Sequence, residues 1–305
     1  MKQIKTNRRN FIYRASSFIT SIISCRLFAN TPACAPRPSL DVRQREIDKV
    51  TPQDFIEYLK KGNIKKFAAF DYLEIAFDKV FNEIKTTSVT DINKPAIWYL
   101  YNMGIIVKTT NQLFAIDLHH RCAGHFADAL DFMLITHAHG DHWRNNLYTK
   151  MDKSGKTVVS NFLKNTGAKN CGYTPEKKKT LQFGDVTVIS GRCDHNAKLI
   201  DYTTPYEIHI GSYTIYHTGD CCRMNKLHVA RQPDLWIVHP YCGLNVEQAS
   251  QKKINPKKVV IAHLQELGHA RNRWRWTYND GQKKLNSLKK IGFDAIMPLW
   301  GERLA

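Results

Sequence analysis

The stretch that most constrains this chain is THAHGDHW, residues 136–143, which puts His137, His139, Asp141 and His142 directly after the apolar run DFMLI. A short apolar run bounded by polar residues reads as a buried strand. The polar group therefore falls at a strand end, where loops build sites. Residues two apart in extended chain point to the same side, so His137 and His139 can face one ion together. Gly140 permits a sharp turn that aims Asp141 and His142 at a neighbouring ion. Imidazole nitrogen and carboxylate oxygen are the ligand set of zinc, with manganese or iron as alternatives. A lone histidine is more often a hydrogen-bonded core residue, but that reading does not account for so dense a cluster.

The rest of the chain alternates strand and helix patterns. AIWYLYNMGIIVKTTNQLFAIDL reads as two strands joined by the polar turn KTTNQ. TVVSNF, VTVIS, DLWIVHP and KKVVIAHL continue the series, and YEIHIGSYTIYHTGD reads as a hairpin turning at Gly211-Ser212. TPQDFIEYLKKG offers a threonine N-cap, proline at the first helical position and a closing glycine. FAAFDYLEIAFDKVFNEIKTT repeats apolar residues at helical spacing, which makes its aromatics core. A further helix, DGQKKLNSLKKIG, precedes a last strand, DAIMPLW. The mixture predicts an α/β sandwich, and 305 residues that are 43% hydrophobic suffice to bury its core. The boundaries expected are a signal peptide and linker over 1–40, a helical segment over 41–90 and the main domain over 91–305.

MKQIKTNRRNFIYRASSFITSIISC pairs a basic start with the apolar-leaning stretch ASSFITSIIS. That stretch is too short to span a bilayer of ~30 Å but fits an export signal. Arg8 and Arg9, followed by Asn10 and Phe11, resemble a twin-arginine signal. IISC resembles a lipoprotein box with Cys25 as the lipid-bearing residue, while ACA at 33–35 suits an ordinary signal peptidase. The expectation is an exported protein, periplasmic or anchored as a lipoprotein, with Cys25 its only membrane attachment. The net charge is +18, but seven of the basic residues lie in the first forty, which hold no acid. The remainder reads as solvated surface, so nucleic acid is disfavoured as a partner. The eight cysteines show no CxxC spacing and suggest neither a zinc knuckle nor a disulfide framework.

THAHGDHW resembles the HxHxDH signature of the metallo-β-lactamase fold superfamily, whose pattern asks for three further ligands downstream. RCDHNA offers His195, IYHTGD offers Asp220 and KKVVIAHLQE offers His263, in the required order. The resemblance covers roughly residues 95–305 and implies a four-layer αβ/βα sandwich. It assigns His137, His139 and His195 to one divalent ion, Asp141, His142 and His263 to a second, and Asp220 to a bridge. His209 and His217 are alternatives for the third ligand; His217 reads as structural or as a support behind a ligand, and His209 as structural or surface. Asp117, in LFAIDLHH, matches an acidic residue that orients a ligand by hydrogen bonding.

The chemistry implied is hydrolysis by a hydroxide shared between two ions, most simply Zn2+, acting on an ester, lactone, phosphodiester or amide-type bond. Asp141 and Asp220 then have catalytic as well as ligand roles. His239, in WIVHPYCG, and His269, in HLQELGHARNRWRW, are further catalytic candidates lining the cleft. Arg271, Arg273 and Arg275 read either as an anion site or as solvated, with Trp274 and Trp276 as packing anchors on the second view. Cys221 reads as packed rather than as a ligand. The substrate expected is a small molecule, with anionic ones among the options. The broad group resembled is that of sugar-phosphate lactonases and phospholipid-cleaving phosphodiesterases. Alternatives are a mononuclear iron dioxygenase acting on a sulfur substrate, a nucleic-acid phosphodiesterase and a metal-bearing binding protein.

Overall fold

The computed structural model describes residues 40–163, 179–195, 202–271 and 273–305. The export-signal reading, with Cys25 and the ACA site, lies outside the described residues. Three helices come first: α1 (Leu40–Asp48), α2 (Pro52–Lys61) and α3 (Ala68–Thr86). Thr51 caps α2 through a capping box, accepting from the Asp54 amide while Asp54 accepts from the Thr51 amide. Thr51→Ala is expected to cost about 1 kcal/mol, read as a lower denaturation midpoint. These helices belong to the same compact unit as the sheets.

The strands of the first sheet divide their side chains between two apolar layers, as a period of two requires. In β1 (Ala96–Tyr99), Ile97 and Tyr99 face the layer between the sheets, while Trp98 faces outward. There Trp98 Nε1 donates to Glu83 of α3 at 2.8 Å, which seats that helix on the sheet. β2 (Ile105–Lys108), β3 (Leu113–Ile116) and β4 (Phe132–Leu134) follow the same division. Burial on both faces is why they read as continuous apolar runs. α4 (Asn145–Lys153) leads into β5 (Thr157–Val159), and the last strand, β15 (Glu302–Arg303), closes the order β15-β1-β2-β3-β4-β5.

The second sheet takes β6 (Lys179–Phe183), β7 (Val186–Ser190), β10 (Tyr206–Ile210), β11 (Tyr213–His217), β12 (Leu235–Val238), β13 (Lys258–Ile261) and β14 (Asp294–Ile296). Its order is β14-β13-β12-β11-β10-β7-β6. β8 (Cys193–Asp194) and β9 (Tyr202–Thr203) form a separate ribbon. The β10–β11 hairpin turns at Gly211-Ser212, pairing Ile210 with Tyr213. α5 (Val246–Ala249) precedes β13, and α6 (Tyr278–Lys290) packs against β13 and β14. The two sheets face each other with helices outside, an α/β sandwich.

One strand expectation is corrected. AIWYLYNMGIIV is two strands rather than one, giving three where two were expected. The chain reverses at Tyr101–Gly104, where the Gly104 amide donates to the Tyr101 carbonyl at 2.7 Å and Asn102 takes φ +57°. Unbroken hydrophobicity hid the turn.

β3 and β4 run parallel in one sheet, and β11, β12 and β13 run parallel in the other. Their carboxyl ends are followed by Asp117, His137, Asp220, His239 and His263. Ligand sites of α/β sheets are built at such ends. Among the described residues no helix is long and apolar enough to cross a membrane, and the five described cysteines are free thiols.

Candidate metal centre

Asp220 stands at the middle of the site. Five imidazoles lie within 4 Å of its carboxylate: His195 Nε2 and His239 Nδ1 at 3.3 Å, His142 Nε2 at 3.4 Å, His263 Nε2 at 3.5 Å and His137 Nε2 at 3.9 Å. Asp141 Oδ2 is 3.2 Å from His263 Nε2 and 3.7 Å from His142 Nε2. The donor atoms of His137, His139 and His195 lie within 4.8 Å of one another, as do those of Asp141, His142 and His263. Those are the two triplets named above from the resemblance. His239, read from the sequence as lining the cleft, joins Asp220 and His263 in a further such group and stacks on His263 with centroids 3.8 Å apart.

The donors fit a cation. The Nε2 atoms of His137, His142, His195 and His263, both ring nitrogens of His239 and Oδ1 of Asp220 are buried without a hydrogen-bond partner. Such groups cost about 1–3 kcal/mol each and call for an explanation. Convergence of lone pairs on shared points supplies one. The electrostatics agree: burial opposes charge on His142, yet Asp220, Asp141 and Asp117 outweigh it and hold the imidazole well above its ordinary pKa. Positive charge is favoured among these carboxylates. Burial pushes His137 well below its usual value, and burial with the neighbouring His263 lowers His239 to about 4. Against burial, His142 and His263 hold Asp141 and Asp220 far below the ordinary carboxylate range.

Hydrogen bonds behind the donors fix their tautomers. Asp117 Oδ2 accepts from His142 Nδ1 at 2.8 Å, which points Nε2 inward as the atom that would give up its proton to a bound cation. Thr136 Oγ1 donates its one proton to Asp117 Oδ2 at 2.6 Å, so at 3.0 Å it accepts from His137 Nδ1. Asp117→Asn would keep the shape but weaken both bonds. It is expected to reduce metal affinity about 10–100-fold, measured by competition with a chromogenic chelator. Asn102 ties the second triplet together: its Nδ2 donates to Asp141 O and Oδ2, and its carbonyl accepts the His263 amide at 2.9 Å.

Backbone strain concentrates here. Asn102, Asp117, His263, Gln265 and Trp274 are five of the seven described non-glycine residues with positive φ, a pattern of functional sites. Gly219, at φ +51°, is pressed so close to Thr136 and Thr203 that a Cβ would sit 2.8 Å from their side chains. A larger residue there would force one of these side chains to shift.

The other sequence candidates fall in distinct places. His217 is buried away from the donors, with its Nε2 2.9 Å from Met103 O, and His209 pairs with Glu207 at 2.7 Å. Cys221 is packed in the core beside Asp220. His269 lines the cavity, and its Nδ1 lies 2.9 Å from Oε2 of the buried Glu266. Burial disfavours the imidazolium, but Glu266 outweighs it and raises the His269 pKa. Arg275 neither faces solvent nor reaches the cavity lining. It is buried, with Nε donating to Glu266 O, Nη2 to Leu267 O and Nη1 to Val50 O. Sequence spacing points to none of Asn102, Thr136 or Glu266 as site residues.

Two facing sheets with outer helices and an HxHxDH turn at their strand ends define the metallo-β-lactamase fold, and the chain has that fold. Solved structures agree. A metallo hydrolase from the hyperthermophilic archaeon Ignicoccus hospitalis superposes with TM-score 0.52 at 18% identity, over 69% of this chain and 98% of that one. The metallo-β-lactamase fold protein YhfI from Bacillus subtilis superposes with TM-score 0.51 at 14% identity, over 68% and 98%. A protein of Thermodesulfovibrio yellowstonii named as a metal-dependent hydrolase is 27% identical over an alignment of 169 positions, which takes in 44% of this chain. The match spans 62% of the length of that curated relative. No protein-family model matches the chain.

Proposed function

We propose that the chain is a metal-dependent hydrolase with two divalent ions at its centre, zinc first, with manganese or iron as alternatives. The observation that carries this reading is the convergence of partnerless imidazole nitrogens on Asp220. The name of the Thermodesulfovibrio relative points the same way. In this reading His137, His139 and His195 hold one ion, Asp141, His142 and His263 hold the other, and Asp220 lies between them. Ions held there supply Lewis acidity, which brings the pKa of a water from about 15.7 toward ~7 and draws charge from the bond under attack.

The chain's own residues complete the chemistry. Asp117 and Thr136 accept at Nδ1 of His142 and His137, which turns Nε2 of each ring toward the centre. Glu266 holds Nδ1 of His269, leaving Nε2 to give a proton to a leaving group or to bind an anion. His239, against Asp220 and stacked on His263, fixes both in place. A cavity of about 180 Å3 beside these groups suits a small molecule, and the reading covers esters, lactones, phosphodiesters and amides, anionic ones included. For location, the proposal is export by the N-terminal stretch, to the periplasm or to a membrane through a lipid on Cys25.

The test is a hydrolysis screen over these bond types before and after chelation. Activity that falls at least about tenfold with a chelator and returns with added zinc or manganese supports the reading. Activity indifferent to chelation contradicts it.

A further inference from the structure

The cavity has a polar floor and an aromatic wall. Tyr241, Trp274 and Trp276 line it together with the donors. Tyr241 and Trp276 stack with centroids 4.4 Å apart and planes at 24°, and Tyr241 Oη donates to the Asp280 carbonyl, so this pair is fixed. Trp274 differs. It is 66% exposed, the highest value among the exposed large hydrophobic residues described. Its φ is +69°, left-handed backbone that a bulky L residue rarely adopts. The Arg273 amide just before it donates to Ala270 O at 2.8 Å, and the next residue, Arg275, is buried and anchored by its guanidinium.

Two unfavourable features, exposed apolar surface and strained backbone, thus meet in one residue at the mouth of the site. Packing does not select tryptophan at a position so exposed, and glycine would suit the turn better. Strain of this kind persists where a function requires the side chain. The Trp274 ring meets the edge of His269 at 5.8 Å and 76°, and His269 lies 6.4 Å from His263 between centroids. The platform is therefore two ring contacts from the donors.

We propose that Trp274 is the specificity platform of the cavity and that the substrate carries a planar aromatic group next to its reacting bond. The reacting end would lie over Asp141 and His263, and the aromatic group would stack on Trp274 against the Tyr241–Trp276 wall. The proposal rests on the hydrolase reading for the position of the reacting end.

The test compares two non-hydrolysable anions, 1-naphthylphosphonate and ethylphosphonate, titrated calorimetrically into the full-length, zinc-loaded protein. The naphthyl compound is expected to bind about fivefold to tenfold more tightly. Trp274→Ala and Trp274→Gly should bring the two within about twofold, while Trp274→Phe keeps most of the preference. Trp274→Gly should also raise Tm, because strain is relieved and little buried surface is lost. Equal binding of both anions by the native protein would overturn the platform while leaving the hydrolytic centre standing. So would a preference that survives Trp274→Ala, or a Tm lowered by Trp274→Gly. If neither anion binds although zinc is held, the platform is overturned, and the hydrolase reading is decided separately by the chelation screen.

Discussion

Asp220→Ala is expected to lower hydrolysis by about 10^3-fold or more and to reduce the bound metal in the same preparation. Among the described residues Asp220 is the one carboxylate within 4 Å of five imidazoles, which come from the loops after strands of both sheets and the β8 ribbon. Its loss removes the anion that makes a cation favourable there. Asp220→Asn tests charge apart from shape, since the amide keeps one acceptor oxygen but loses the negative charge; it is expected to recover little activity. Elemental analysis and turnover on one purified sample check both variants. Full activity in Asp220→Ala with no loss of metal would contradict the centre proposed here.

Arg275→Met is expected to cost about 3–5 kcal/mol of stability, the largest effect anticipated away from the donors. Its guanidinium joins the carbonyls of Ile47 and Val50, at the N-terminal helices, to those of Glu266 and Leu267, in the loop that follows His263. Methionine fills much of the volume but takes the donor from the buried Val50 and Leu267 carbonyls, while Ile47 O and Glu266 O keep the Val50 and His269 amides. For a unit of this size that loss lowers Tm by roughly 5–9 °C, measurable by circular dichroism. Arg275→Lys keeps the charge without the planar fork and should recover less than half of the loss. A change below about 1 kcal/mol in the methionine variant would show that water or the loop can replace these bonds.

Much of this architecture is legible in the sequence because it rests on local rules. The capping box at Thr51 and Asp54, the hairpin turn at Gly211-Ser212 and the two-sided apolar runs of β3 and β4 all follow from short-range pattern. The density of His137, His139, Asp141 and His142 is likewise a local signal. What the sequence hides is set by contacts between distant segments. The Tyr101–Gly104 turn sits in an unbroken apolar run, and only the fold shows Asn102 reaching Asp141 and His263. Arg275 lies among arginines that read as an anion site or as solvated, yet its partners are more than 220 residues away at Ile47 and Val50. Glu266 carries no motif, and its value comes from the 2.9 Å approach to His269. His239 shows only that it ends a strand, while its stacking on His263 depends on β12 and β13 being parallel neighbours.

The central claim is that the centre holds two divalent ions, and counting metal per chain in the purified full-length protein tests it most directly. About two zinc or two manganese ions per chain are expected, retained through gel filtration. A single iron ion would move the chemistry toward oxygen-dependent oxidation, and no tightly held metal after reloading would contradict the account.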